Sequence, residues 1–202
     1  MAMLCASLLS GCMSPGEPSA RFVDAKVMDA YIPLYARENF IQRKWAAAVN
    51  IAPHIAVTND HNLGLIPEES LIGRSRDYDL LFFRTDSEAV IPIAKPTVGE
   101  RVIAYGQGGE ESRREAEGVV RELDSIVKAR CEDCKVQRSI MFEAPGGMGF
   151  SGGPVVDARS GALVGITFGF QYGMGEDSPR RMFAFDMDLV MTEMRRLVAA
   201  VP

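Results

Sequence analysis

Short apolar runs broken by turn residues dominate the chain from Trp45 onward. Residues 45–51 (Trp-Ala-Ala-Ala-Val-Asn-Ile) end at Ala52-Pro53, and residues 55–58 (Ile-Ala-Val-Thr) follow, which predicts two strands about a short turn. Residues 71–73 and 79–84 (Asp-Leu-Leu-Phe-Phe-Arg) predict a third and a fourth strand, and residues 90–93 and 101–105 complete a first set. A charged, glycine-bounded stretch, 106–118, reads as the connection to a second set at 118–123, 125–130, 135–143, 154–157, 162–168 and 181–185. Many short strands with turns between them imply an all-β barrel or sandwich. The end of the chain changes period. Asp188 is placed to cap a helix with Val190, Met194, Leu197, Val198 and Val201 on one face and Arg195 and Arg196 near its C-terminus, where the dipole favours cations. That face predicts a short helix packed on the body in preference to a membrane-binding one. Residues 21–44, with Tyr31, Tyr35 and Phe40 loosely spaced, carry no firm assignment.

The first residues read as a leader outside the fold. Residues 1–9 are a short apolar run leading into Leu9-Ser10-Gly11-Cys12, a tetrapeptide that resembles the lipobox of bacterial lipoproteins, with Cys12 as the lipidated residue. No basic residue precedes the run, which leaves two readings: a start upstream of Met1, or a ragged apolar N-terminus that is no leader. The run is too short to span a bilayer as a helix. Residues 13–20 (Met-Ser-Pro-Gly-Glu-Pro-Ser-Ala) read as a flexible tether, and 21–202 as one domain. An exported protein, in the periplasm or envelope and held to a membrane through Cys12, is the expectation.

Composition narrows the class further. A chain of 202 residues holds one good core or two small ones sharing an interface. With 47% hydrophobic and 24% charged residues it is ordinary globular material, and 19 glycines and 11 prolines favour turns and short strands. A net charge of −5 argues against a nucleic-acid partner, and the local pairs Arg113-Arg114, Arg180-Arg181 and Arg195-Arg196 read as solvated faces. Cys5 would leave with the leader, which leaves Cys131 and Cys134 as a polar Cys-Glu-Asp-Cys between two strands. A local disulfide across a hairpin tip suits an oxidising compartment. Zinc would need about four ligands, and the two histidines lie far off in sequence; a thioredoxin-like role would need a βαβ setting. No metal and no cofactor are expected, and the oligomeric state is open.

The chemistry-bearing stretch is residues 146–156, Gly-Gly-Met-Gly-Phe-Ser-Gly-Gly-Pro-Val-Val. Glycines tolerate positive φ and close backbone approach, so such a loop can aim consecutive N–H groups into a concave site. Ser151, held there, is suited to attack a carbonyl whose developing charge those groups stabilise. A glycine-rich hairpin loop with an incidental serine is the plain alternative. A base for Ser151 must be His54, at a turn after Pro53, or His61, at the mouth of a predicted strand. The group that orients the base must be a carboxylate: Asp79 opens an apolar strand, where burial is costly unless paired, and Asp77 is the exposed alternative.

Together these motifs resemble the trypsin-like serine peptidases. Residues 56–61 (Ala-Val-Thr-Asn-Asp-His) look like the segment leading to that family's histidine, Asp79-Leu80-Leu81 like its aspartate, and residues 149–154 (Gly-Phe-Ser-Gly-Gly-Pro) like its serine motif, in the same order. Residues 98–106 resemble the strand that closes the first barrel in the bacterial Do-like branch, and residues 161–167 the strand after the serine loop. The resemblance covers roughly residues 45–186. It implies an all-β fold of two six-stranded Greek-key barrels, chymotrypsin-like, at about 43–106 and 117–186, with a short C-terminal α-helix at about 188–200. It implies Ser151 as nucleophile, His61 as base and acid, Asp79 as orienter, and the N–H groups of Gly149 and Ser151 as oxyanion hole. The substrate-binding positions it implies are Pro145, Gly146, Gly147 and Met148, with Phe168, Gly169 and Phe170 as the edge that takes substrate backbone. No acidic residue lies in either segment, which favours a small or apolar substrate side chain.

The departures are specific. Phe150 stands where digestive members carry an aspartate that pairs with a freed N-terminus, so activation by that ion pair is not expected. Phe168 replaces a serine near the aspartate. His61 and Asp79 are 18 positions apart, which requires trimmed loops, and no PDZ module is expected after the helix. A secreted or tethered serine endopeptidase cleaving proteins or peptides is the first reading. A catalytically silent fold serving as a peptide-binding or envelope scaffold is the second.

Overall fold

The computed structural model describes residues 15–19, 22–37, 43–109, 111–127, 137–173 and 180–200. The expectations for the leader, for lipidation at Cys12 and for a Cys131–Cys134 disulfide lie outside them. The chain begins with a two-residue strand β1 (Glu17–Pro18) and a short helix α1 (Ala25–Ala30), whose N-terminus is capped by the Asp24 carboxylate accepting from the Lys26 amide. There follow β2 (Tyr31–Arg37), β3 (Arg43–Ala52) and β4 (Ile55–Thr58), two 3-10 turns at Asp60–Leu65 and Glu68–Ser70, then β5 (Leu71–Arg74) and β6 (Leu81–Arg84). These strands form a five-stranded antiparallel sheet in the order β2-β3-β4-β6-β5. The second half holds β7 (Arg101–Gln107), β8 (Arg113–Val127), β9 (Gln137–Glu143), β10 (Pro154–Asp157), β11 (Leu163–Gln171) and β12 (Arg181–Asp186), ending in helix α2 (Met187–Val198). Its strands run β8-β7-β10-β11-β12-β9, and a β8–β9 pairing closes the ring into a six-stranded barrel.

The two halves share a core. Ala47, Val49, Val57, Leu80 and Phe82 from the first sheet pack with Val156, Leu163, Ile166 and Phe185 from the barrel and with Val190 and Met194 of α2, all buried. A second cluster, including Val102, Ala104, Ala116, Phe142, Phe150 and Val155, fills the barrel itself.

The all-β architecture with a closed barrel and a C-terminal helix is as expected, but several details differ. The first half is a five-stranded sheet among the described residues, not a six-stranded barrel. Residues 90–93 contribute only an isolated bridge, Ile93 with Leu163. The strand at 101–107 opens the second barrel instead of closing the first, because Val102 and Ala104 face the barrel interior and pair with β10 (Val155↔Ala104). The stretches predicted at 118–123 and 125–130 are, as far as Val127, one strand, β8; its register against β9 shifts between Val120 and Glu122 and again before Ser125. Such bulges accommodate the exposed polar run at 121–124 without a turn.

The helix is capped by Asp186, whose carboxylate accepts from the Leu189 amide at 2.9 Å; Asp188 sits in the first turn and pairs with Lys95. Finally, residues 15–19 of the expected tether are docked on the barrel, with β1 paired to β8 (Glu17↔Glu115, Pro18↔Arg114).

Candidate active site

Strand β4 ends at Thr58, and the 3-10 turn that follows swings His61 out of the sheet, its side chain 46% exposed. Asp79 lies at the entry to β6 and is buried. One carboxylate oxygen of Asp79 accepts from the His61 backbone N–H at 3.0 Å, and the other lies 2.7 Å from ring Nδ1. A buried carboxylate is costly unless its oxygens are paired, and here both are. The arrangement assigns a proton to Nδ1 and leaves Nε2 facing outward. Asn59, fully buried, donates to the Asp79 carbonyl at 3.0 Å and fixes the strand entry. The alternatives fall away: Asp77 caps a turn through its amide on Ser75 Oγ, and His54, at φ 62°, pairs with Glu88 at 3.5 Å on an exposed turn.

Ser151 lies on the loop entering β10, and its carbonyl ties it to the first sheet. The Ala47 amide donates to that carbonyl at 3.0 Å, and Asn62 Nδ2 reaches it at 3.4 Å while also donating to Thr58 Oγ1 at 2.9 Å. Thr58 Oγ1 in turn donates to the Ala47 carbonyl at 2.8 Å. The structure therefore ties the serine and histidine segments through a buried seam. Among the described residues no hydrogen bond joins the Ser151 hydroxyl to the His61 ring.

Glycine is required in this loop where φ is positive: Gly149 at +89° and Gly152 at +79°. A Cβ on Gly149 would overlap the Gln107 carbonyl and lie 2.7 Å from Trp45 Cδ1; one on Gly152 would overlap Thr58 Oγ1 and the Ala47 carbonyl. The amides of Phe150, Gly152 and Gly153 donate to the carbonyls of Gly147, Thr167 and Phe150. Those of Gly149 and Ser151 donate to nothing among the described residues. Two unspent N–H groups, one on the serine itself and one two residues before it, are what an anion-stabilising site needs. Phe150 between them is fully buried in the barrel core, in apolar surroundings that would not take a carboxylate.

The expected substrate-binding positions divide. Pro145 and Met148 are exposed while Gly146 and Gly147 are buried. The Phe168 ring points inward, 4.4 Å from the Phe185 ring centroid, so only its backbone remains for a ligand. Gly169 and Phe170 are half-buried; they pair with β12 on one edge, and β10 pairs with β11 only as far as Ile166. Sequence reasoning missed Asn62, Thr58, Gln107 and Tyr31. The Gln107 backbone N–H donates to the Gly149 carbonyl at 2.9 Å, and the Tyr31 hydroxyl donates to the Gly106 carbonyl and Gln107 Oε1, both at 2.7 Å. Burial pushes the Tyr31 phenol far up from its ordinary pKa, so it stays a donor. No sequence signal marks these residues beyond their being polar in apolar runs. No group of metal-ligating side chains occurs among the described residues.

Comparison with known proteins places these features. The model of the trypsin-like peptidase domain matches residues 56–166. Among solved structures, a variant of the HtrA-type protease AlgW with tripeptide superimposes with a TM-score of 0.68 at 17% identity, covering 88% of this chain and 63% of that one. Rv3671c from M. tuberculosis H37Rv, a serine-to-alanine mutant in an inactive form, gives 0.68 at 15% identity, covering 94% of this chain and 99% of that one. The MamO protease domain from Magnetospirillum magneticum (apo form) gives 0.65 at 15%, covering 83% and 97%. The chain thus spans less than two thirds of the AlgW structure, and at these identities the likeness concerns the fold. No curated protein matches the chain.

Proposed function

Because this chain belongs to the trypsin-like peptidase family, we propose that it is a serine endopeptidase working through an acyl-enzyme, with Ser151, His61 and Asp79 as its triad. The observation that carries the reading is the Asp79 carboxylate bonded to both the amide and Nδ1 of His61. With Nδ1 protonated, Nε2 takes the Ser151 proton as the hydroxyl oxygen attacks a peptide carbonyl, and later delivers it to the leaving amine. The unspent N–H groups of Gly149 and Ser151 bind the oxyanion. Water then repeats the cycle in reverse, with His61 again as base. In resting enzymes such hydrogen bonds are often long and tighten with substrate, which accommodates the open Ser151–His61 pair. Substrate backbone adds to β11 at residues 168–170, past the point where β10 stops pairing. AlgW, solved with a tripeptide, supports a peptide ligand for this fold. Export and attachment to a membrane through a lipid on Cys12 complete the proposal, resting on the leader pattern alone.

A fluorophosphonate tests it. Wild-type protein is expected to carry the adduct on Ser151 by peptide mass, and His61→Ala to lose it. Folded wild-type protein that stays unlabelled, with and without added peptides, would overturn the reading in favour of a peptide-binding scaffold.

A further inference from the structure

Residues 15–19 meet the barrel where β9 has ended and the chain departs, at Ala144 and Pro145, to build the loop that reaches Ser151. The Gly16 amide donates to the Pro145 carbonyl at 3.0 Å, on the root of that loop. The Pro15 ring lies against Gly147, its Cγ 3.0 Å from where a Cβ would stand. On the other side, Arg180 Nη1 donates to the Gly146 carbonyl at 2.8 Å. Two successive loop carbonyls are thus pinned, one of them by the N-terminal segment.

The segment is itself gripped. Arg114, 7% exposed, donates through Nη2 to the Gly16 carbonyl at 2.8 Å and through Nε to the Pro15 carbonyl at 3.3 Å. The Ser19 amide donates to the Arg113 carbonyl at 3.0 Å, and its hydroxyl to Glu115 Oε2 at 2.7 Å. A guanidinium is costly to bury unless its fork is engaged, and this one binds the backbone of a segment distant in sequence. Gly16 is fitted to the seat: φ is +76°, and a Cβ would stand 2.6 Å from the Glu115 carbonyl oxygen and 2.8 Å from the Phe150 ring. The same Phe150 joins the two residues whose amides are unspent.

We propose that Gly16 and Arg114 are positioning residues for the oxyanion loop, seating residues 15–19 as a strap that holds 145–149 in register with Ser151. The proposal rests on the catalytic reading of Gly149 and Ser151, and the strap meets the loop through the Gly16 amide and the Pro15 ring. Without the strap, the Pro145 carbonyl loses its donor, Gly147 loses the Pro15 ring, and Phe150 loses one wall. The Gly149 peptide is then free to turn its N–H away from the substrate carbonyl.

The chain's single tryptophan reports on this independently of chemistry, since the Trp45 indole packs on Gly149. In the full chain, Gly16→Val is compared with wild type by fluorophosphonate labelling rate, by kcat and KM on a peptide substrate, and by acrylamide quenching of Trp45. Val190→Ala in α2, remote from the loop, is the control for lost stability. Labelling slower by about tenfold or more, kcat falling more than KM rises, and stronger Trp45 quenching are expected for Gly16→Val. Val190→Ala should lower Tm with labelling and quenching unchanged. Arg114→Lys, which keeps the charge but not the fork, should lie between, and it decides the matter if Gly16→Val does not fold. Wild-type labelling and quenching in the strap variants would overturn the proposal. If wild type itself does not label, the catalytic reading fails, and the Trp45 response still decides whether the strap orders the loop.

Discussion

Asp79 divides its carboxylate between the backbone and the ring of one histidine, and that division lets a single substitution separate local structure from the proposed catalysis. In Asp79→Asn the amide oxygen can still accept from the His61 N–H, so the turn survives. The amide NH2, facing Nδ1, can only donate, which forces the other tautomer and removes the base at Nε2. The expected outcome is a fall in kcat of roughly 10^4-fold with Tm nearly unchanged. Wild-type turnover in this variant would remove Asp79 from the triad. Gly152 gives the opposite signature. At φ +79°, with Thr58 Oγ1 and the Ala47 carbonyl where a Cβ would go, Gly152→Ala strains the seam itself. It should lose about 2 kcal/mol or more of stability in urea titration, and an unchanged midpoint would refute the packing argument. The proposed triad of His61, Asp79 and Ser151 is legible in the sequence because a nucleophile, a base and an orienting carboxylate need those residue types, and because the family's motifs come in that order. Asn62 and Arg114 are not, because their partners, the carbonyls of Ser151 and Gly16, are supplied by chain far away.

At the scale of elements, apolar runs reveal where strands are but not which sheet they join. That is why the strand at 101–107 was assignable while its barrel was not: only its pairing with Val155 decides. β2 escaped because Pro33 interrupts its run and no alternation of polar residues marks one face of it. The C-terminal helix was legible from its apolar face, but its polar anchor was not. Glu193, 6% exposed, accepts from Ser75 Oγ at 2.7 Å and from Arg196 at 2.7 Å, joining α2 to the loop after β5. Burial pushes the Glu193 carboxyl up, but the Arg196 and Ser75 hydrogen bonds outweigh it and hold the pKa below the ordinary value. A depressed carboxylate contributes stability that is present above its unfolded pKa and is lost as pH falls through the folded one. Glu193→Gln should therefore lower Tm at neutral pH, and the gap from wild type should close on acidification below about pH 4. A gap that stays constant down to pH 3 would show that packing, and not the charge, holds the helix.

At the scale of the molecule, the site exists only where the halves meet. His61 and Asp79 come from loops of the first half and Ser151 from the loop entering β10, and neither half carries the proposed chemistry alone. Ties that cross the boundary include the Ala47 amide to the Ser151 carbonyl, Asn62 to the same carbonyl, and the Tyr31 hydroxyl to Gly106 and Gln107. The larger core cluster runs through both halves and α2, so neither sheet can open without exposing apolar surface of the other. Unfolding is therefore expected to be one cooperative transition, with Trp45 fluorescence, which senses the seam at Gly149 and Gly109, and backbone circular dichroism giving the same urea midpoint. Tyr31→Phe takes one donor from two buried acceptors across the seam and should cost about 1–3 kcal/mol. Because the seam belongs to the same cooperative unit, both probes should move together, and fluorophosphonate labelling should disappear at that common midpoint. A Trp45 transition well ahead of the backbone signal would mean that the halves separate before either unfolds. Labelling of Ser151 would then be lost by parting of the seam while each sheet remained intact.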